Sequence, residues 1–159
     1  MCPENKVPAP GASAPGTSSL PDLDQVLFVE AGWGCDQHGQ NVTKAAVRAC
    51  RNAIEFNSLP AVRKVVPGGY DNLRLHIKLG SPRPAEVDVE ELRKVFPYGK
   101  ATFEVVEGGL SASSGVAIPE LGDTSDEMVI AVVAVTAGYS SACASPLETP
   151  TKGYGYESD

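Results

Sequence analysis

Two histidines, one tryptophan and four cysteines are all that this 159-residue chain offers of the side chains that most often do metal, redox or nucleophilic work. The cysteines, Cys2, Cys35, Cys50 and Cys143, form no C-x-x-C pair, and the spacing from Cys35 to Cys50 matches no zinc module. They read as free reduced thiols, Cys50 as a small hydrophobe on a buried helix face. Long apolar runs are missing too. The longest, Met128–Ala137, is about half of what a membrane span requires. The first residues hold no apolar signal core and no arginine but do hold Glu4, Asp22 and Asp24, unlike a transit peptide. The reading is a soluble cytoplasmic protein with no membrane partner, an organelle being compatible with a processed chain. Positive charge is short: 13 Lys and Arg stand against 20 Asp and Glu, a net −7. A dominant phosphate-backbone contact needs the opposite sign, so no nucleic-acid partner is expected, although a local basic patch is compatible.

Large apolar side chains are also scarce at both ends. Residues 1–24 are mainly Pro, Ala, Gly and Ser, and cannot bury enough surface to offset the entropy of ordering. They read as a disordered arm, and residues 140–159 as a flexible tail in which Tyr154 and Tyr156 could dock on something. What remains, 25–139, is close to the usual size of one domain with one core.

Within that core, Gln25–Ala31 is a short apolar run that predicts a strand. The period then becomes helical over Val42–Asn57. Lys44, Arg48, Arg51 and Glu55 form a solvent stripe, and Val42, Ala45, Ala46, Ala49, Cys50, Ala53 and Ile54 a buried one. That buried stripe is mostly alanine, so the helix can lie unusually close to a sheet. Asn72–Gly80 alternates: Leu73, Leu75, Ile77 and Leu79 point one way, Arg74, His76 and Lys78 the other. Asp88 is an N-cap, Glu91 would complete a capping box, and Val87 with Leu92 would form a hydrophobic staple for a second helix ending at Pro97. Ala101–Glu107 and Met128–Thr136 are further strands, the last apolar on both faces and hence central. A Gly- and Ser-rich loop, Gly108–Glu127, separates them and is longer than a compact domain tolerates without a reason.

The predicted class is therefore α+β: a four-stranded mixed sheet in the order β-α-β-α-β-β, with both helices on one face. Bacterial trimeric chorismate mutases and the small-imine deaminases have a similar element order, an analogy of fold that transfers no chemistry. The other sheet face would be half aliphatic and half charged. Bare water suits it poorly, so a homo-oligomer is expected, with Arg74, His76 and Lys78 paired or lining an interface pocket.

The segment Gly32-Trp33-Gly34-Cys35-Asp36-Gln37-His38-Gly39, followed by Gln40, runs from the first strand into the first helix. Glycines at 32, 34 and 39 permit positive φ or a close approach to a ligand. The following helix N-terminus could hold an anion. A dinucleotide fingerprint fails because its third glycine would fall on Gln37. A phosphate-binding P-loop fails because Gln40 and Asn41 replace Lys and Ser/Thr.

The pattern G-x-G-x-D-x-H-G near the N-terminus resembles the signature of an uncharacterised family of conserved hypothetical proteins, the "Lin" family named after a listerial prototype and found in bacteria, plants and algae. Similar stretches follow in QNVTKAAVRACRNAIEFNSLP, EVDVEELRKVFPYG, and VEGGLSASSG with VVAVTAGY, so the likeness spans about 25–139. It strengthens the importance of the segment and implies no activity, substrate or cofactor.

Three readings of Asp36 and His38 stay open: an acid/base pair in which Asp36 orients and charge-tunes His38; two ligands of a metal, completed by His76, Glu30, Glu104 or Glu107; or a structural cap and turn. His76, between two cations, would stay neutral and serve as base or ligand, or belong to a solvated strand face. Trp33 is either a stacking surface or core packing. Gly32, Trp33, Gly34, Gly39, Gln40, Arg74 and Lys78 complete the ligand-binding candidates, for a small anionic metabolite. Ser111–Gly115 could donate hydrogen bonds to it or be a plain loop. The competing class is a non-catalytic assembly protein whose glycine turn makes a subunit contact.

Overall fold

In the computed structural model, which describes Leu20 and residues 22–143, the first strand does not stop at the glycines. β1 runs Gln25–Asp36, straight through Gly32 and Gly34. α1 follows as Val42–Ile54, then a single helical turn, α2, at Val62–Val65. β2 is Arg74–Ser81, α3 Val89–Arg93, β3 Lys100–Glu107, β4 Leu110–Ser113 and β5 Glu127–Tyr139. The α+β class holds, but the sheet has five strands where four were expected. The extra strand, β4, comes from inside the long Gly108–Glu127 loop. The finer likeness to chorismate-mutase folds finds no confirmation.

The sheet order is β1-β5-β2-β3, with β4 also paired to β5. β5 lies between β1 and β2, antiparallel to both, as its two-faced apolar sequence requires. β2 and β3 are parallel, joined by the crossover that carries α3. β4 takes up the Glu127–Ile130 end of β5, where β2 does not reach.

The core lies between α1, α3 and one sheet face. Ala45, Ala46, Ala49 and Cys50 pack with Leu75, Ile77, Leu79, Leu92, Val133 and Val135. Burial pushes the Cys50 thiol up to about 12, so it stays a neutral packing group. The alanine face lets α1 approach β1 until there is no room for side chains. A Cβ on Gly32 would stand 2.5 Å from the Ala49 carbonyl, and one on Gly34 2.3 Å from that of Ala45. These two glycines are therefore required by helix-to-strand packing.

α3 is capped by Asp88, which accepts from the Glu90 and Glu91 amides. The expected box is only half formed: the Asp88 amide donates to Thr43 Oγ1, while Glu91 pairs with Lys94. That exchange ties α3 to the start of α1. Leu23 is buried, and the Asp24 carboxylate accepts from the Ser141 amide and hydroxyl, so packing extends slightly beyond 25–139 at both ends. The arm and tail expectations otherwise fall outside the described residues, as do Tyr154 and Tyr156. No helix among the described residues is long and apolar enough to cross a membrane.

Candidate functional site

β1 is an edge strand, and a cleft of about 460 Å³ runs along its outer side, bounded by Trp33–His38 and by Lys44, Arg48 and Asn52 of α1. Three side chains one helical turn apart thus line it. Two of them also cap backbone groups of β1. Asn52 Oδ1 accepts from the Trp33 amide at 3.1 Å, and Arg48 donates to the Cys35 carbonyl. By sequence, Lys44 and Arg48 belong to a solvent stripe, because nothing local announces a cleft beside a strand edge.

Asp36 closes the floor and is 1 % exposed. Its Oδ1 holds Lys44 Nζ at 2.8 Å and Arg48 Nη1 at 3.0 Å, and its Oδ2 accepts from the Asn41 amide at 3.0 Å. Asn41 itself caps the Lys44 amide at 2.9 Å. The anion expected at the α1 N-terminus is therefore supplied by the protein's own carboxylate. The buried Asp36 carboxylate thus holds two half-exposed cations at the lip of the cleft.

Asp36 does not touch His38, which corrects the expected pairing. The carboxylate partner is Asp123, from the loop between β4 and β5: His38 Nδ1 lies 2.8 Å from its Oδ2. The Asp123 side chain is fully enclosed, and it also accepts from the amides of Gly39 and Ile118, each at 2.7 Å. The hydrogen bond from His38, followed by the Ile118 amide, holds this carboxyl down to about 2. It is therefore ionised at neutral pH and can only accept, so the proton of the neutral imidazole sits on Nδ1. Nε2 then carries the lone pair, on a ring that is one third exposed and lines the cleft. Asp123 was missed because it lies 85 positions from His38 in a loop with no periodic signal.

Gly39 and Gln40 fix the turn at φ of 84° and 50°. Only Gly39 of the three expected glycines uses the left-handed region. The Gln40 side chain clamps the same distant loop: its Nε2 donates to the Ser125 and Glu127 carbonyls at 3.3 and 3.1 Å, and its Oε1 accepts from the Thr124 amide and hydroxyl at 3.1 Å. Arg83 binds the Gln40 carbonyl at 2.9 Å and both Glu127 carboxylate oxygens at 3.1 Å. Ser111 donates to that carboxylate as well. The long loop is thus docked onto the glycine turn.

Trp33 is 62 % exposed and lies on a cleft wall, which disposes of core packing. Burial, with the Asp36 charge adding to it, raises the Cys35 thiol, so a thiolate is disfavoured there. His76 and Lys78 are not in this cleft; β5 separates their strand from β1. They share Glu104 instead, at 3.4 and 2.8 Å, and Thr102 Oγ1 lies 3.4 Å from His76 Nδ1. Arg74 begins the same strand and borders a separate recess of about 60 Å³ with His76. Among the described residues, no group of three or more His, Cys, Asp or Glu side chains is placed to hold a metal. Glu104 stands beside His76, away from His38, and the two-residue metal set gains no third ligand.

Residues 26–137 match the model of the "Conserved hypothetical protein (Lin0512_fam)" family, and the chain belongs to that family. It is 42 % identical to a crystallised "ftsz-like protein of unknown function" from Nostoc punctiforme PCC 73102, covering 72 % of this chain and 96 % of that one, with a TM-score of 0.65. No curated protein resembles the chain closely enough to lend it an activity.

Proposed function

We propose that the cleft beside β1 binds a small anionic metabolite and that His38 exchanges a proton with it. The observation that carries this reading is the His38–Asp123 pair opening on a recess rimmed by Lys44 and Arg48. A carboxylate behind an imidazole fixes the tautomer and stabilises the imidazolium that forms when Nε2 takes a proton. Lys44 and Arg48 supply attraction, Trp33 a flat wall, and Asp36 holds the two cations in place. The roles expected for Asp36 and His38 therefore divide: Asp36 positions, and His38 does the proton work.

The test is thermal shift of the purified chain with inorganic phosphate, pyrophosphate, succinate and citrate, beside Lys44→Gln and His38→Ala. A rise in Tm with at least one anion, reduced in Lys44→Gln, is the expected result. No rise with any of them, or a rise indifferent to Lys44, overturns it. Nitrogen-15 NMR of His38 should show Nδ1 protonated and Nε2 bare in the neutral form.

A second reading, assembly, has its own support. On the uncovered sheet face, Val29, Trp33 and Val132 are 60, 62 and 44 % exposed and form an apolar strip beside the paired His76, Lys78 and Glu104. We place a second copy of the chain there, which makes the protein a homo-oligomer and brings a neighbour's charged strand toward the cleft. If His38→Ala leaves oligomer size intact but removes the anion effect, the site reading stands. If it dissociates the assembly instead, the assembly reading takes its place.

A further inference from the structure

We propose that the helix-covered side of the sheet carries a second binding site, independent of the β1 cleft, for a small aromatic or aliphatic amine. The reason lies in lengths. β1 spans roughly 40 Å at strand rise, whereas α1 spans roughly 20 Å at helical rise. α1 sits over Gly32 and Gly34, so the earlier inward-facing residues of β1, Phe28 and Glu30, are left beyond its C-terminal end. The segment after α1 and the turn after α3 curl around this gap without filling it. What remains is a pocket of about 290 Å³ walled by Phe28, Ile54, Leu75, Tyr70 and Tyr98, with Glu30 among them.

Two features define the occupant. Tyr70 and Tyr98 stand as a tilted pair with ring centroids 5.1 Å apart, and Tyr98 is 62 % exposed at the rim, so an aromatic wall is already formed. Among the described residues that line it, Glu30 is the only charged side chain, and it sits on the sheet face that otherwise holds the apolar core. Among the described residues it has neither hydrogen bond nor ion pair. A carboxylate without a partner beside aliphatic and aromatic walls is complementary to one positive charge on an apolar body. The volume is at the bottom of the range for small-molecule sites, about 300–1,000 Å³, which limits the guest to about one ring with a short ammonium arm. The ammonium would meet Glu30, and the ring would lie against the tyrosines. No covalent step is involved.

The experiment is amide-resolved NMR titration of the full chain with phenethylamine, hydrocinnamate and phenethyl alcohol, which share one body and differ in charge. Phenethylamine should shift Glu30, Ile54, Tyr70 and Tyr98 and bind about tenfold or more tightly than hydrocinnamate, the size of one charge-assisted hydrogen bond. Glu30→Gln should remove that preference while leaving Tm and phenethyl alcohol binding unchanged. Equal binding of amine and acid, amine binding that survives Glu30→Gln, or no shift at these residues with any probe would each overturn the proposal. Lys44→Gln should leave the amine untouched, so failure here and failure at the cleft are read separately.

Discussion

The chain's two histidines stand in contrasting surroundings. His38 leans on a carboxylate that is enclosed and held from three directions, by the imidazole and by the Gly39 and Ile118 amides. His76 leans on Glu104, 43 % exposed and already paired with Lys78. The sequence already weights His38, through its glycine-studded segment, above His76, which stands between Arg74 and Lys78 on an alternating strand. The structure makes His38 the better organised of the two. Charge density along a strand is a surface property, whereas a fixed tautomer needs a buried acceptor delivered from elsewhere in the chain.

The His38 side is most vulnerable at the packing that holds the cleft together. Gly34→Ala puts a methyl into the α1 backbone, and overpacking of this kind costs about 3 kcal/mol or more; denaturant unfolding should show it, with the cleft disordered. Next comes Asp36→Ala, which frees two cations and the Asn41 amide. With both cations half exposed, we expect about 2 kcal/mol, measured the same way.

Asp123→Asn should have a smaller effect, legible in its pH dependence. The folded-state pKa of Asp123, about 2, lies below the ordinary 3.8, so its stabilisation is present above 3.8 and is lost as pH falls toward 2. Stability of the wild type should fall across that window, and the variant's should fall less. Glu104→Gln should hardly move the unfolding midpoint, since an exposed ion pair contributes little. A large loss there would raise His76 to equal standing and undo the contrast.

What was legible in the sequence followed periodicity. The alanine stripe of α1 and the alternation of β2 carry their burial in their spacing and recur in the structure, whereas β5 takes the expected central place but buries only one of its two apolar faces. The Gly32–Gly39 segment, singled out by its glycines, lines the cleft proposed as a site, but how that cleft is built was not legible. Gly32 and Gly34 resemble turn residues because φ freedom and the absence of a side chain are indistinguishable in a sequence; here the missing side chain is what matters. β4 hid in a Gly- and Ser-rich stretch of weak strand propensity, and forms because β5 overruns β2 and leaves an edge to pair. Asp123, Arg83 and Glu127 carry no pattern of their own, since their meaning arises only when the loop closes over Gln40.

The capping of β1 by α1 has a consequence for how copies of this chain avoid one another. An outermost strand with bare amides and carbonyls is an invitation to sheet extension, and chains commonly deter it with charge. Here Asn52 and Arg48 occupy the Trp33 amide and Cys35 carbonyl, so an incoming strand finds those docking points taken. The side chains that shape the recess also act as a fence against runaway polymerisation. Altering them to change what the cleft admits would open the fence at the same time.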